Sequence, residues 1–254
     1  MGKNLLFETL ESSVAAGKLS NVSARLLNGC LEFARQRLPQ SCTLCGDEGH
    51  DGEPFCTPCR KDLPWLPRER CAMCASPLPS GVVCGACLGR PPRFDCVEAA
   101  FAYRFPVDAL IHACKYGGRL ALARALGALL APSATRNVDA IVPMPLAPGR
   151  LAERGFNQAL EIARVVAARR RIALLARACR KVVETPPQAA LPWKLRARNV
   201  RRAFVCDADL SGCRVAVVDD VLTTGATLNE LARVLRRAGA VEVVGWVVAR
   251  TLPR

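Results

Sequence analysis

Two aspartates, Asp219 and Asp220, stand between an apolar run and a stretch that is rich in hydroxyl groups. The run before them, residues 215–218, consists of small and β-branched apolar residues, which is typical of a strand buried on both faces. We expect the acidic pair to end this strand. Carboxylates in that position suit the hydroxyl groups of a sugar or a divalent cation.

The residues after the acidic pair have the character of an anion site. They are Thr223, Thr224, Gly225, Ala226 and Thr227. The threonines offer hydroxyl donors, and the glycine lets the backbone approach a ligand closely. A helix is predicted next, because apolar residues from Leu228 to Leu235 recur at the spacing of one helix face. Unpaired N–H groups at the start of a helix attract a phosphate.

Carboxylates beside an anion site indicate a ligand that carries both hydroxyl groups and a phosphate. A phosphate alone would be repelled by Asp219 and Asp220. The alternative is an ordinary strand, turn and helix with capping threonines and two solvated aspartates. Capping requires one hydroxyl group, whereas this loop offers three. We therefore interpret the stretch as a site for a phosphorylated sugar.

Four Cys-x-x-Cys pairs follow one another between residues 39 and 96. Their members are Cys42 and Cys45, Cys56 and Cys59, Cys71 and Cys74, and Cys84 and Cys87. Each pair can present two thiolates to a metal, and two pairs complete a tetrahedral site, which predicts one or two structural Zn²⁺ ions. The segment is poor in core residues, so we expect it to fold only weakly without metal.

The grouping of these pairs is either sequential or cross-braced, and we favour the sequential one. His50 is either a spare ligand or a solvated loop residue. Disulfides are disfavoured, because other cysteines are scattered singly and no secretory signal is evident at the N-terminus. No apolar run is long enough to span a membrane, which predicts a soluble, cytoplasmic protein without membrane insertion.

The chain is strongly basic. Its 254 residues include 36 Lys and Arg against 22 Asp and Glu, a net charge of +14. Residues 177–202 hold eight basic residues and one acid, Glu184. Such a segment suits the phosphates of a small substrate or of nucleic acid. The alternative is an arginine-rich composition spread over solvated faces.

Strands and helices alternate after residue 93, which predicts an α/β domain. The predicted elements are a strand within 94–105, helices over 107–116 and 120–130, a strand over 139–145 with a loop at 146–150, a helix ending at 166–168, a strand over 172–179 and a closing strand over 241–250. The basic connection 180–204 is either a lid or disordered. The predicted domains are a helical segment 1–38, a double zinc ribbon 39–96 and the α/β domain 97–254.

Three cations near predicted element ends are candidate ligands for phosphate groups. Lys115 either faces the substrate or merely precedes the Gly117-Gly118 helix stop. Arg150 and Arg154 follow a strand-end loop, where ligands bind in open α/β sheets. They can hold a pyrophosphate through charge-assisted hydrogen bonds, and an ordinary proline-rich connection is the alternative.

Residues 217–227 closely resemble the motif of type I phosphoribosyltransferases that binds 5-phosphoribosyl diphosphate (PRPP). A wider resemblance joins the zinc ribbons, the segment 143–158 and this motif, and it identifies the chain as similar to the ComF family. Lys115, Tyr116, Gln188, Leu191, Arg196, Asn199, Ala203 and Phe204 also fit the family pattern. The chain departs from it in the lid, at Ala189-Ala190 and Pro192-Trp193.

The resemblance implies a parallel sheet flanked by helices, with an N-terminal zinc-ribbon module. It also implies that Asp219 and Asp220 face the ribose 2- and 3-hydroxyls, that residues 223–227 hold the 5-phosphate, and that Mg²⁺ accompanies PRPP. The expected protein is then a phosphoribosyltransferase with an unknown acceptor. The alternative is a non-catalytic zinc protein that binds single-stranded DNA beside the competence machinery during DNA uptake, with Trp65 and Trp193 as candidates for base stacking.

Overall fold

The computed structural model describes residues 41–47, 53–183 and 202–252. The predicted helical segment 1–38, His50, Trp193 and most of the predicted lid lie outside these residues. The chain forms two compact units, Met1–Arg60 and Lys61–Arg254. Among the described residues, no helix combines the length and apolar character that a membrane crossing requires.

Short helices in the cysteine-rich part precede longer ones in the α/β part. The helices are α1 (Thr57–Lys61), α2 (Gly85–Gly89), α3 (Val107–Tyr116), α4 (Leu120–Leu130), α5 (Pro148–Arg154), α6 (Gln158–Arg170) and α7 (Ala226–Arg237). The strands are β1 (Cys96–Ala102), β2 (Ala140–Pro143), β3 (Ala173–Leu174), β4 (Cys179–Lys181), β5 (Phe204–Cys206), β6 (Arg214–Leu222) and β7 (Glu242–Arg250).

Five strands form one parallel sheet in the order β1-β7-β6-β2-β3. The predicted α/β architecture, a parallel sheet flanked by helices, is confirmed. The valines and alanine at residues 215–218 of β6 are fully buried, because this strand is central and covered on both faces. The carboxyl ends of β2 and β6 meet at the same edge of the sheet, through the pairing of Pro143 with Val218.

Three details differ from the predictions. The acidic pair does not end β6, because the strand stays paired with β7 as far as Leu222. The strand predicted over 172–179 is two elements: β3 joins the sheet, whereas β4 leaves it and pairs antiparallel with β5. The predicted loop 146–150 runs into α5, because Pro148 occupies the first helical position, where its missing N–H costs no hydrogen bond.

Within the larger unit, the segment before the second ribbon lies along β1. The Leu66 N–H donates to the Ala100 carbonyl at 3.0 Å, and the Ala102 N–H donates to the Pro64 carbonyl at 2.8 Å. Arg70 adds a side-chain bond to the Ala99 carbonyl at 3.0 Å. The division of the chain after Arg60 therefore falls inside the predicted zinc module 39–96, because these bonds tie the second ribbon to the sheet.

Candidate functional site

The hydroxyl loop, residues 223–227, joins β6 to α7 at the carboxyl edge of the sheet. Gly225 precedes α7 in the left-handed conformation, with φ +77°. The Ala226 N–H donates to Thr224 Oγ1 at 3.2 Å. In the described part of the chain, no acceptor contacts the backbone N–H groups of Thr223, Thr224 or Gly225. Thr223 and Gly225 line a small cleft at the positive end of the α7 dipole, and such a cleft suits an anion.

The two aspartates lie on opposite faces of the sheet, since side chains alternate along a strand and β6 runs through both. Asp219 lines the cleft of the hydroxyl loop, and its Oδ1 accepts the Asp220 N–H at 2.8 Å. Asp220 is buried, and its Oδ2 lies 2.7 Å from Lys115 Nζ. The structure therefore brings one carboxylate to the loop and pairs the other with the end of α3.

This separation gives the aspartates different electrostatic environments. Burial and the neighbouring charge of Asp220 raise the pKa of Asp219 to about 8. Burial opposes the charge of Lys115, but the attraction of Asp220 outweighs it and raises the pKa of the ammonium group. Lys115 thus stays charged beside Asp220, whereas the raised pKa of Asp219 lets this carboxyl group change its charge near pH 8.

Replacing Asp220 with asparagine is expected to lower the free energy of unfolding by about 3 kcal/mol, because a largely buried Lys115 would lose its partner. Chemical denaturation followed by circular dichroism measures this loss. The matched control is Asp139→Asn, which breaks an ion pair with Arg214 at 2.9 Å whose side chains are both more than 40% exposed. That exposed pair should contribute less than about 1 kcal/mol. Equal losses in the two variants would contradict the structural role of Asp220.

Of the two predicted arginines, Arg154 lies near the end of α3, which carries Lys115, and Arg150 has a partner of its own. The Arg154 guanidinium lies 5.3 Å from the centre of the Tyr116 ring, and its Nη1 donates to Gln158 Oε1 at 3.2 Å. Its Nε is buried, and no acceptor among the described residues contacts it. Its charge acts on Lys115. Arg150 instead pairs with Glu153 at 2.8 Å.

Asn157 fixes the strand-end loop that follows β2. Its Nδ2 donates to the Met144 carbonyl at 3.0 Å, while its Oδ1 caps α6 by accepting the Ala159 N–H at 3.0 Å. The Met144 N–H donates in turn to the Val218 carbonyl of β6 at 2.8 Å. A cavity of about 400 Å³ borders this loop. Its lining includes Pro145, Leu146, Phe156, Asn157, Cys179 and Arg180.

The eight cysteines form two tetrads in the sequential grouping. One tetrad is Cys42, Cys45, Cys56 and Cys59, and the other is Cys71, Cys74, Cys84 and Cys87. Within each, the sulfur atoms lie within 4.8 Å of one another, as ligands of a single tetrahedral metal do. The Cys56 N–H points to Cys42 Sγ at 3.4 Å, and the Cys84 N–H points to Cys71 Sγ at 3.3 Å. The tetrads support structural zinc.

The surroundings of the first cysteine of each tetrad favour its thiolate form. Burial disfavours that form at Cys42 and Cys71, but backbone N–H groups donating to the sulfur outweigh it and lower the pKa of each to about 6. The last thiols behave oppositely. Hydrogen bonding to Cys56 raises the pKa of Cys59, and burial raises the pKa of Cys87. Four clustered thiolates repel one another, and a divalent ion removes that repulsion.

One arginine at this site was not predicted. Arg250, at the end of β7, donates to the carbonyl groups of Leu222 and Thr223, where the hydroxyl loop begins. Nothing in the local sequence marks it, because the contacts depend on the register of β7 against β6. The one available indication is its position, because the carboxyl end of a strand in a parallel sheet is where ligand-binding loops lie.

Taken together, the fold and sites define a parallel α/β protein that carries two cysteine ribbons. A family model described as the double zinc ribbon domain matches residues 34–88. The DNA utilization protein YhgH of Salmonella typhi is 33% identical over 230 residues, covering 85% of this chain and 99% of that protein. Competence protein F of Haemophilus influenzae is 33% identical over 209 residues, covering 77% of this chain and 90% of that protein. The chain belongs to the ComF family.

Likeness to solved structures is more distant. The glutamine phosphoribosylpyrophosphate amidotransferase of B. subtilis aligns over 48% of this chain with 24% identity and a TM-score of 0.35. The chain spans about a quarter of the length of that enzyme (25%). The strand order described above therefore defines the fold, and the residues of the site are the basis for any inference about its chemistry.

Proposed function

We propose that the cleft at the hydroxyl loop binds PRPP together with Mg²⁺. The observation that carries the proposal is the set of backbone N–H groups of Thr223, Thr224 and Gly225, which have no acceptor in the described part of the chain and lie at the positive end of α7. Donors of this kind stabilise a phosphate ester. Asp219 borders the same cleft, so one ligand that carries a phosphate and hydroxyl groups satisfies both.

Each group of the ligand has a partner of matching chemistry. The 5-phosphate accepts hydrogen bonds from residues 223–227, and Asp219 accepts one from a ribose hydroxyl. Arg154 provides positive charge for the diphosphate, and its buried Nε gains an acceptor. Magnesium requires oxygen ligands, which the diphosphate and the Asp219 carboxylate offer, and it supplies further neutralisation of the leaving group.

The proposed reaction is transfer of the phosphoribosyl group. The bond between the anomeric carbon and the diphosphate oxygen breaks, pyrophosphate leaves with that electron pair, and a nucleophilic acceptor forms the new bond to carbon. The protein contributes by positioning both reactants and neutralising the leaving group. The cavity of about 400 Å³ beside Pro145 and Arg180 offers room for a small acceptor.

Binding of PRPP is expected to strengthen as the pH rises from 7 to 9. A ribose hydroxyl donates to a carboxylate more strongly than to a carboxylic acid, and the pKa of Asp219 is raised to about 8. The ionised fraction of such a group increases by about tenfold over this interval. Isothermal titration calorimetry at several pH values measures the trend. Asp219→Asn has no proton to lose, so its weaker affinity should be independent of pH, and an equal slope in both proteins would contradict the role given to Asp219.

Calorimetric titration of the full chain with PRPP and Mg²⁺ at pH 8.5 tests the proposal. Micromolar binding of PRPP, weaker binding of ribose 5-phosphate and none of ribose would support it, because the proposal assigns a partner to each phosphate group. Absence of PRPP binding to the zinc-loaded wild type would overturn it. Release of pyrophosphate on addition of candidate acceptors would then identify the transfer reaction.

A second candidate function is the binding of single-stranded DNA. The net charge of +14 favours it, as do the names of two relatives, a DNA utilization protein and a competence protein. Contacts with phosphates release counterions, so affinity for an oligonucleotide should fall steeply with salt. A flat response between about 50 and 200 mM salt would remove this candidate.

A further inference from the structure

Arg250 holds the hydroxyl loop and the second ribbon at the same time. From one edge of its guanidinium, Nε donates to the Cys74 carbonyl at 3.0 Å. From another, Nη1 donates to the carbonyls of Leu222 at 3.2 Å, of Thr251 at 2.7 Å and of Thr223. Only a planar group with several fixed donors bridges carbonyls in this way. The side chain of Arg250 therefore connects Cys74 of the second tetrad directly to the start of the hydroxyl loop.

The second ribbon is also built into the core of the larger unit. Its tight turn continues from Cys74 into Ala75, which is fully buried and has φ +55°. In the first ribbon the corresponding residue is Gly46. The methyl group of Ala75 belongs to the same buried cluster as Phe94 and Leu228 of α7. The turn that presents Cys74 to a metal therefore cannot relax without disturbing residues packed beneath the loop.

A second connection reaches the loop from the segment that follows the ribbon. A Cβ placed on Gly225 would lie 3.5 Å from Phe94 Cε1, so the ring packs directly against the loop. The neighbouring Arg93 N–H donates to Asn229 Oδ1 in the first turn of α7 at 2.6 Å. The end of the ribbon and the start of α7 are thus joined independently of Arg250.

From these contacts we infer that Arg250 is a positioning residue for the sugar-phosphate loop and couples its ligand affinity to the metal state of the Cys71, Cys74, Cys84 and Cys87 tetrad. With the tetrad closed around zinc, the Cys74 carbonyl is fixed, and Arg250 holds the Leu222 and Thr223 carbonyls so that the loop N–H groups converge. Coupling between sites is reciprocal, so a ligand in the loop tightens the binding of this metal. The inference rests on the proposed function, because it names the loop as the ligand site.

The test compares Arg250→Met with the wild type in two independent measurements on the full zinc-loaded chain. Calorimetry with PRPP and Mg²⁺ should give about tenfold weaker binding, within the range usual for coupled sites. Zinc release to a chelator, followed with a coloured zinc indicator, should become about tenfold faster for one of the two ions, because loss of an outer-shell partner typically weakens metal binding by at least about tenfold. Bound PRPP should slow that same phase in the wild type but not in the variant.

Two further variants separate coupling from a general loss of stability. Arg236→Met removes an arginine at the opposite end of α7, where it bonds Asp95 and the Val241 carbonyl. It should lower stability but leave PRPP affinity and both zinc phases unchanged. Arg250→Lys keeps the charge but cannot bridge Cys74 and Thr223 at once, so it should remain defective in both measurements even if Arg250→Met folds poorly.

Wild-type PRPP affinity and wild-type zinc release in Arg250→Lys would overturn the inference. A wild type that binds no PRPP would instead overturn the proposed function and with it the ligand part of the inference. The zinc-release comparison needs no ligand, so unchanged release in that case would also refute the bridge between Arg250 and the tetrad. The two failures are therefore distinguishable.

Discussion

Replacing Gly225 with valine is expected to abolish measurable PRPP binding, with an affinity loss of at least about 100-fold, which corresponds to about 3 kcal/mol. The backbone at this position has φ +77°, a conformation that is strained for a β-branched residue. The valine side chain would also press on Phe94 and displace the N–H groups of the loop. Calorimetry with PRPP and Mg²⁺ measures the loss.

The matched control for this variant is Gly212→Val. Gly212 has a nearly identical φ of +74°, and a Cβ there meets nothing within 4 Å. It lies in the turn before β6, at the opposite end of that strand from the hydroxyl loop. The two variants therefore share the backbone strain, but only Gly225→Val alters the site. Equal losses of affinity in both would show that strain, and not the loop, governs binding.

Replacing Cys71 with serine is expected to reduce bound zinc from two ions to one per chain and to destabilise the larger unit. A structural zinc site contributes much of the folding energy of a small ribbon. Because residues 64–70 hydrogen-bond to β1, we expect the sheet to share the loss, at about 3 kcal/mol or a fall of 6–12 °C in Tm. Elemental analysis and thermal unfolding measure the two effects.

Cys213→Ser serves as the control for this prediction. Cys213 is a half-buried cysteine outside both tetrads, so its replacement should leave the zinc content at two ions and Tm nearly unchanged. Full zinc content in Cys71→Ser would contradict the assignment of the second tetrad. Loss of zinc without a change in Tm would contradict the contribution of this ribbon to the stability of the larger unit.

Much of the fold was predictable because local signals agree with one another. The apolar run 215–218, the glycine in the loop and the spacing of Leu228 and Leu235 each indicate the same strand, turn and helix. The helices at Val107–Tyr116 and Leu120–Leu130 have the predicted bounds for the same reason. The four Cys-x-x-Cys pairs predicted the eight metal ligands, and the two tetrads have the sequential grouping that we favoured over the cross-braced one.

The features that sequence reasoning missed depend on contacts between distant residues. The separation of Asp219 from Asp220 follows from the continued pairing of β6 with β7. The local sequence predicts the opposite, because an acidic pair after an apolar run is typical of the end of a strand. The bond from Arg250 to the Cys74 carbonyl joins residues 176 positions apart. The split of the predicted strand 172–179 likewise depends on β5, the distant partner that β4 pairs with.

The central claim, that the loop after β6 binds a phosphorylated ribose, is tested most directly by a crystal structure of the protein soaked with PRPP and Mg²⁺. We predict a phosphate group within hydrogen-bond distance of the backbone N–H groups of Thr223, Thr224 and Gly225, and a ribose hydroxyl against Asp219. Saturating ligand with no density at this loop, or PRPP bound with its 5-phosphate on Arg150, would contradict the account.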